Sequence, residues 1–449
     1  MRPWGVPRAA VPTPLTSTGL AEGAELGEAL MAIGRAAGLH SVGITTADVF
    51  DETRRHLFDR KQEGLHATMQ FTYRNPERST DPTRILPGAR SLVVGAWSYR
   101  RSDSPAPNAE PDSDAAAGRP LDRTYDRLSG GDRYRPVGRV ARYARSDHYA
   151  SLRQALAPIA EHLRGLGWRA AVVCDDNALV DRAAAHRAGI GWFGKNSLLL
   201  VPGAGSWFVL GSVVTDAPLR PTRPDPPAAH AEGCGSCSRC MGACPTGALV
   251  SPGILDARKC LAWLVQAPGP FPEEYREALG DRIYGCDECQ QVCPINKVAD
   301  RRDPVPLPSP HLPSPHLPLP RPPSTNQPST NQPSTNQPST NQPPPASPRH
   351  TDGSRVDLLD LLEAPDDQLM EAHGRWYIAE RDPRYLRRNA LVALGNVGDG
   401  HHPGTEVALQ RWLATDDPML AEHARWAARR LDRHDLISAA PRHPDPPAQ

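Results

Sequence analysis

Cys234-Gly-Ser-Cys237-Ser-Arg-Cys240-Met-Gly-Ala-Cys244-Pro245 decides how the rest of the chain is read. Its spacing is C-x2-C-x2-C-x3-C-P without a gap. In such a run three thiolates on one tight loop hold three irons of a 4Fe–4S cubane, and the fourth cysteine, starting a helix, serves a second cluster. A second group, Cys286-Asp-Glu-Cys289-Gln-Gln-Val-Cys293-Pro294, lacks the middle cysteine, for which Cys260 is the substitute. The pairing that follows puts Cys234, Cys237, Cys240 and Cys293 on one cluster and Cys244, Cys260, Cys286 and Cys289 on the other. Eight ligands fill two cubanes with none left over. Zinc is the competing reading, because Cys234-x2-Cys237 and Cys286-x2-Cys289 are also zinc-knuckle spacings. A disulfide scaffold fits poorly with a long chain whose N-terminal stretch shows no export pattern. The ninth cysteine, Cys174, ends the apolar run Ala170–Cys174 and reads as a buried strand residue.

Outside this segment, composition limits the choices. Lys+Arg and Asp+Glu both number 51 in 449 residues, so there is no basic coat over the whole molecule. Only Lys61, Lys195, Lys259 and Lys297 are lysines. That bias reads as coding-sequence composition, so abundant arginine is no evidence for nucleic acid. Residues 1–26 are rich in Pro, Ala and Gly and carry no charged-then-apolar pattern. Ser197–Thr215 is uncharged, but Pro202, Gly203, Gly205 and Gly211 interrupt it, which predicts two buried strands around a turn rather than a membrane span. The expectation is a soluble, cytoplasmic protein with no membrane association.

Upstream of the cysteines, helix and strand patterns alternate. Glu28–Leu39 has helical spacing, Ser41–Thr45 and Arg90–Trp97 read as strands, and Ser102–Asp132 as a surface loop. Tyr149–Leu166 reads as an amphipathic helix, Arg169–Cys174 as a strand and Ala178–Ala188 as a helix. This alternation predicts an α/β domain over 26–225 after a disordered tail, 1–25. A ferredoxin-like segment follows at 226–298.

Of the 50 prolines, 17 fall between Asp303 and Pro348, where Ser324–Pro343 holds four Ser-Thr-Asn-Gln-Pro copies. Such a stretch buries nothing to offset chain entropy, so 299–350 reads as a disordered linker. Beyond it, Asp382-Pro383 and Asp417-Pro418 each open a helical pattern. Leu386, Ala390, Ala393, Leu394 and Val397 recur at the same offsets as Leu420, Ala424, Ala427, Ala428 and Leu431. This predicts a HEAT-like helical domain over 351–435, with a tail at 436–449. Arg384, Arg387 and Arg388 share a face turned away from much of the first apolar set. Either a solvated charged face or a phosphate-contacting face fits that pattern.

Two adjacent cubanes make a wire for single electrons, and a wire needs a terminus. No G-x-G-x-x-G follows any strand, so a dinucleotide site is unsupported. The blocks Val42-Gly-Ile-Thr-Thr-Ala-Asp48, Leu86-Pro-Gly-Ala-Arg-Ser91, Asp181-Arg-Ala, Ala188-Gly-Ile-Gly-Trp-Phe-Gly-Lys-Asn196 and Gly205-Ser-Trp-Phe208, combined with the cysteine segments, resemble the epoxyqueuosine reductases. These are cobalamin-dependent enzymes that finish queuosine in tRNA. The resemblance implies base-off cobalamin between the α/β domain and the cluster segment, and reduction of an epoxide at tRNA position 34 to an alkene. It implies a proton donor six residues before Asp181-Arg-Ala, which is Asp175. By it, Arg78, Asp175, Lys195, Asn196, Ser197, Leu199, Leu210 and Asp287 would contact cobalamin, while Arg387 and Arg388 would meet a tRNA anticodon stem–loop. It further implies an external low-potential electron donor and a monomeric protein. The family usually follows the donor with a small or hydroxylated residue and Gly, where this chain has Asp176-Asn177. Pro268-Gly269-Pro270 and the proline-rich insert are further departures. A corrinoid reductive dehalogenase and a 4Fe–4S electron carrier without a substrate site are the alternative readings.

Overall fold

The computed structural model describes residues 17–100, 135–223, 233–302 and 353–441. The Ser102–Asp132 loop and the Ser-Thr-Asn-Gln-Pro repeats lie outside them. In chain order the main strands are β1 (Ser41–Thr46), β2 (Ser91–Ser98), β3 (Val137–Val140), β4 (Ala170–Cys174), β5 (Phe208–Thr215), β6 (Arg282–Tyr284) and β7 (Arg355–Asp357). The main helices are α1 (Ser17–Ala36), α2 (His148–Gly165), α3 (Asp181–Arg187), α4 (Arg384–Val397), α5 (Pro403–Leu413) and α6 (Pro418–Arg430).

Strands β1-β2-β5-β4 form one sheet in which every pairing is antiparallel. Helix–strand alternation, which usually accompanies parallel pairing, here yields an antiparallel sheet with helices on both faces. The faces separate by the two-residue period of a strand. Leu92, Val94, Ala96, Leu210 and Val214 pack under α3 with Ala183, Ala184 and Ala185. Val93, Val209 and Val213 pack under α2 with Leu152, Leu156, Ile159 and Leu163. Asp147 accepts from the Ala150 N–H at the start of α2, 2.8 Å. Gly95 and Gly211 are cross-strand partners, and Gly211 also faces Cys174. A Cβ at Gly211 would come within 2.6 Å of the Cys174 side chain, so glycine there lets α2 approach the sheet. Cys174 is buried in this layer, as its apolar run suggests.

The second half is built around α4, whose residues Tyr385–Gly395 are all buried. It packs on α6, on the short helix Leu358–Glu363, on the helix Glu273–Leu279 and on β6. Asp417 caps α6 by accepting from the Met419 and Leu420 N–H groups, at 2.9 and 3.1 Å. Strand β3 pairs parallel with β6 and antiparallel with β7. One sheet thus ties residues from before the cysteines, among them and beyond the proline-rich stretch, across boundaries that composition alone suggested. Regular structure also overruns those boundaries. Helix α1 begins inside the expected tail 1–25, the helix Pro294–Arg301 enters the expected linker, and His434–Ala439 is helical within the expected C-terminal tail. Among the described residues no helix is long and apolar enough to cross a membrane.

Candidate active site

The clustered cysteines lie near enough to influence one another's ionisation. Around Cys240, burial and the neighbouring Cys234, Cys293 and Cys237 sulfurs push the thiol up. Around Cys260, burial followed by Cys286 and Cys244 raises the thiol to about 11. Burial, then Cys286 and Cys260, raises Cys289, with Cys240 and Cys244 adding to it. Thiols that hinder one another's ionisation are a donor set waiting for positive charge, and a metal cluster supplies it by holding them as thiolates. Cys244 already accepts a hydrogen bond from the Ala248 N–H, 3.2 Å, as cluster sulfurs do. Among the described residues no His, Cys, Asp and Glu side chains converge as three ligands of a single ion.

Polar side chains lock this segment to the antiparallel sheet. Asn296, fully buried, donates to Gln290 O at 2.8 Å and accepts from the Ser206 N–H at 2.7 Å. Gln290 donates to the Tyr99 hydroxyl and to Ser206 O, both at 3.0 Å. Lys195 Nζ donates to Gly235 O in the first cysteine loop, 2.7 Å.

Beside the clusters lies a cavity of about 870 Å³. Phe50, Leu57, Phe71, Phe193, Phe208 and Leu210 give it apolar walls, while Tyr149, Asp175, Asp181, Arg182, His186 and Ser197 supply polar groups; Gly253 comes from the cluster segment. Asp175 sits at the end of β4 with φ +52°, a left-handed conformation that aspartate tolerates better than most residues. Its neighbour Asp176 holds the turn by accepting from the Ala178 N–H, 2.8 Å, while the helix that follows starts only at Asp181 and has no side-chain cap from Asp175, Asp176 or Asn177. The Asp175 carboxyl stays at the cavity wall. Desolvation raises its pKa above the ordinary aspartate value; Arg153 opposes that, and Asp147 and Asp176 reinforce it. Ser197 also has a positive φ, and its Oγ is buried without a partner.

Of the residues expected around cobalamin, Asp175, Ser197 and Leu210 line the cavity. The others stand elsewhere. Arg78 is exposed on the helix Pro76–Ser79, and Leu199 is buried in the neighbouring apolar core. Lys195 and Asn196 bridge to the cysteine loops, Asn196 reaching Cys289 O at 3.5 Å. Asp287 is buried, its carboxylate accepting from the Arg142 N–H at 3.0 Å and Gln291 Nε2 at 2.9 Å.

Residues 233–296 match the model of the 4Fe-4S double cluster binding domain. An epoxyqueuosine reductase from Xanthomonas campestris is 36% identical over 277 residues, spanning 60% of this chain and 70% of that protein. One from Staphylococcus aureus is 33% identical over 409 residues, spanning 90% of this chain and 88% of the relative. The chain belongs to the epoxyqueuosine reductase family. A crystal structure of an epoxyqueuosine reductase with an epoxyqueuosine-modified tRNA-Tyr stem loop superposes with a TM-score of 0.68 at 27% identity, covering 92% of this chain and 93% of that one.

Family membership resolves the choice between iron–sulfur and zinc, but not every expected contact survives the structure. Arg388 is fully buried. Its guanidinium donates to Leu264 O at 3.0 Å, Ala267 O at 2.7 Å and Gly269 O, and lies over the Tyr385 and Phe271 rings. Arg387, 7% exposed, donates to Ala364 O at 2.8 Å and pairs with Asp366. Both are therefore structural, and neither offers a free guanidinium to a phosphate. The cause is the packing of α4, whose second face meets residues 264–283 instead of water. Asn389 beside them is buried too, donating to Val265 O at 2.8 Å.

Sequence reasoning missed Tyr149 and Asp181 as cavity residues, and Gln290, Asn296 and Ser206 as the polar lock. A signal existed for Asp181, which opens the Asp181-Arg-Ala block, and for Ser206 and Gln290, which lie inside the quoted Gly205–Phe208 and Cys286–Pro294 blocks. The lock residues are ordinary polar letters until the fold buries them.

Proposed function

We propose that this protein reduces epoxyqueuosine at position 34 of a tRNA anticodon stem–loop to queuosine. Two 4Fe–4S clusters on the eight cysteines would feed cobalamin in the cavity lined by Asp175. The observation that carries the reading is a large cavity that holds a carboxyl whose pKa is raised and takes Gly253 of the cysteine-bearing segment into its wall. Clusters fit because residues 233–296, which match the double-cluster domain, carry eight thiols, the number two cubanes need. A corrin fits because the cavity has apolar walls near the upper size of ordinary ligand sites and buried polar atoms without partners. When bound, cobalamin supplies a cobalt centre that collects electrons singly and delivers them to a carbon centre.

The chain's own residues do the rest. Asp175 presents its carboxyl from a turn that Asp176 holds, and its raised pKa keeps a proton available nearer neutral pH than an exposed aspartate would. That proton goes to the departing epoxide oxygen. Phe50, Leu57, Phe71 and Phe208 exclude water from the same space. Ser197, with its unpartnered hydroxyl, and Leu210 would hold the corrin from the wall. Cys234, Cys237, Cys240 and Cys293 hold one cluster, and Cys244, Cys260, Cys286 and Cys289 the other. The solved relative bound to a modified stem loop supports the tRNA reading. The paired helices α4 and α6, with matching apolar offsets and Asp-Pro openings, are read as a HEAT-like stack beside an α/β cobalamin-binding domain and a ferredoxin-like domain. The protein would act as a monomer in the cytoplasm with an external low-potential donor.

Anaerobic reconstitution with iron, sulfide and cobalamin, followed by incubation with epoxyqueuosine-bearing tRNA and nucleoside mass spectrometry, tests this. Queuosine should accumulate with reductant and not without it. A reconstituted protein that takes up cobalamin and clusters yet leaves the epoxide intact would refute the reading.

A further inference from the structure

Turning an epoxide into an alkene and water breaks two C–O bonds and consumes two electrons and two protons. The electrons enter through the clusters from the external donor. Opening the ring uses one proton and expelling the resulting hydroxyl as water uses the second. Asp175 accounts for one. Bulk solution supplies the other slowly at neutral and alkaline pH, where free protons are scarce, so a second acid facing the cavity would speed the step.

The cavity contains a second carboxyl. Asp181 opens α3, six residues after Asp175, and lines the same cavity. Its Oδ1 is buried and has no hydrogen-bond partner. The charge of Asp175 is felt by Asp181 across the turn, and both face the same cavity. Tyr149, on α2, feels both carboxylates. We infer that Asp181 is the proton reserve of the site: it restores the proton on Asp175 after the first transfer and so supplies the second proton of the reaction. This rests on the function proposed above.

The surroundings favour that role. Burial, with Asp175 and Asp176 as like-charged neighbours, holds the Asp181 carboxyl well above the usual aspartate range, against the opposing pull of Arg182 and the Asp175 N–H. Cys174 at the end of β4 and Tyr149 are its neighbours on the sheet and α2 sides. An acid with one oxygen buried and unpaired has a free position through which to pass a proton, whereas a purely structural aspartate at this point of a helix would be expected to cap backbone N–H groups. Asp181 acts through Asp175, which makes it a positioning and relay residue and leaves substrate contact to Asp175.

The test compares Asp181→Asn, Asp181→Glu and Asp175→Asn in the reconstituted, pre-reduced holoenzyme, in single turnover with an epoxyqueuosine stem–loop across pH. Asp181→Asn should keep corrin and cluster absorption and stem–loop affinity. Its turnover should fall roughly 100-fold toward alkaline pH, with the loss shrinking toward acid pH where solution supplies protons. Asp181→Glu should restore most of the rate. The infrared spectrum of the wild-type holoenzyme at neutral pH should contain a carboxylic-acid carbonyl stretch that Asp181→Asn lacks. An Asp181→Asn enzyme with the wild-type rate and pH profile overturns the relay. So does an infrared spectrum without that band, or loss of corrin binding in both Asp181 variants, which would mark a structural residue. Active Asp175→Asn enzyme would instead refute the assignment of the acid itself, and absence of turnover in wild type would refute the proposed function, so the three failures are distinguishable.

Discussion

The cysteine segment and helix α4 were read from sequence by the same kind of motif, and only one of them behaved as its motif suggested. In the cysteine segment, spacing along the chain is itself the chemistry, because three sulfurs on a tight loop come together whatever surrounds them. In α4, Arg387-Arg388 looks like a basic patch, yet both side chains are buried against residues 264–283 and 364–366. A helical wheel gives the direction in which a side chain leaves its own helix. It carries no information about whether water or another segment lies there. Local spacing is therefore a better guide to the kind of domain a segment forms than to which of its charges reach the surface.

The largest expected effect would break the first half of this contrast. Cys289→Ser removes a sulfur from the group containing Cys244, Cys260 and Cys286, so iron content should fall by about half, four ligands serving each cubane. Epoxide reduction should disappear while the remaining cluster's spectrum persists. Retention of full iron would mean that the ligand sets are divided otherwise.

Next comes Asp175→Asn, which should leave cobalamin, clusters and stem–loop affinity in place while lowering turnover by about 10²–10⁴-fold, the usual worth of a positioned acid. A rate near wild type would remove Asp175 from the chemistry.

Arg388→Ala tests the second half. It leaves the carbonyls of Leu264, Ala267 and Gly269 without their donors and should cost about 2–4 kcal/mol of stability by chemical denaturation. The salt dependence of stem–loop binding by the folded protein should keep its wild-type slope, since no phosphate contact is lost. A shallower slope would restore Arg388 to the RNA interface. Asp417→Ala, which removes the α6 cap, should cost about 1 kcal/mol in the same assay.

The smallest effect is electrostatic. Glu422 on α6 receives both guanidinium nitrogens of Arg276, at 2.8 and 2.7 Å. Burial works against its charge, but hydrogen bonds from His423 and Arg276 outweigh it and hold the carboxyl at about 2. A depressed acid stabilises the fold fully above its ordinary value of 4.5, and that contribution is lost as pH falls toward 2. Glu422→Gln should therefore be less stable than wild type near neutral pH, and the two denaturation midpoints should converge with acidification.

The sheet strands were legible because a strand covered on both faces leaves a short continuous apolar run, and β1, β2 and β4 begin within one residue of where those runs suggest. The antiparallel order β1-β2-β5-β4 was not, since strand pairing joins residues more than a hundred positions apart, as Ser91 and Thr215 are. Asp175 was legible only through its offset from Asp181-Arg-Ala. Asp176, a departure from the family's usual residue there, turns out to be engaged with the Ala178 N–H.

Sequence alone determined the metal chemistry of this protein, because ligand identity and short-range spacing are properties of the covalent chain. It also determined the capped helices at Asp147 and Asp417, since a cap is satisfied within three residues of itself. Only the tertiary structure decided which charges meet water and which carboxyls keep a proton. Desolvation comes from atoms that distant segments bring, and so Arg388 is sealed inside while Asp175 and Asp181 share one cavity.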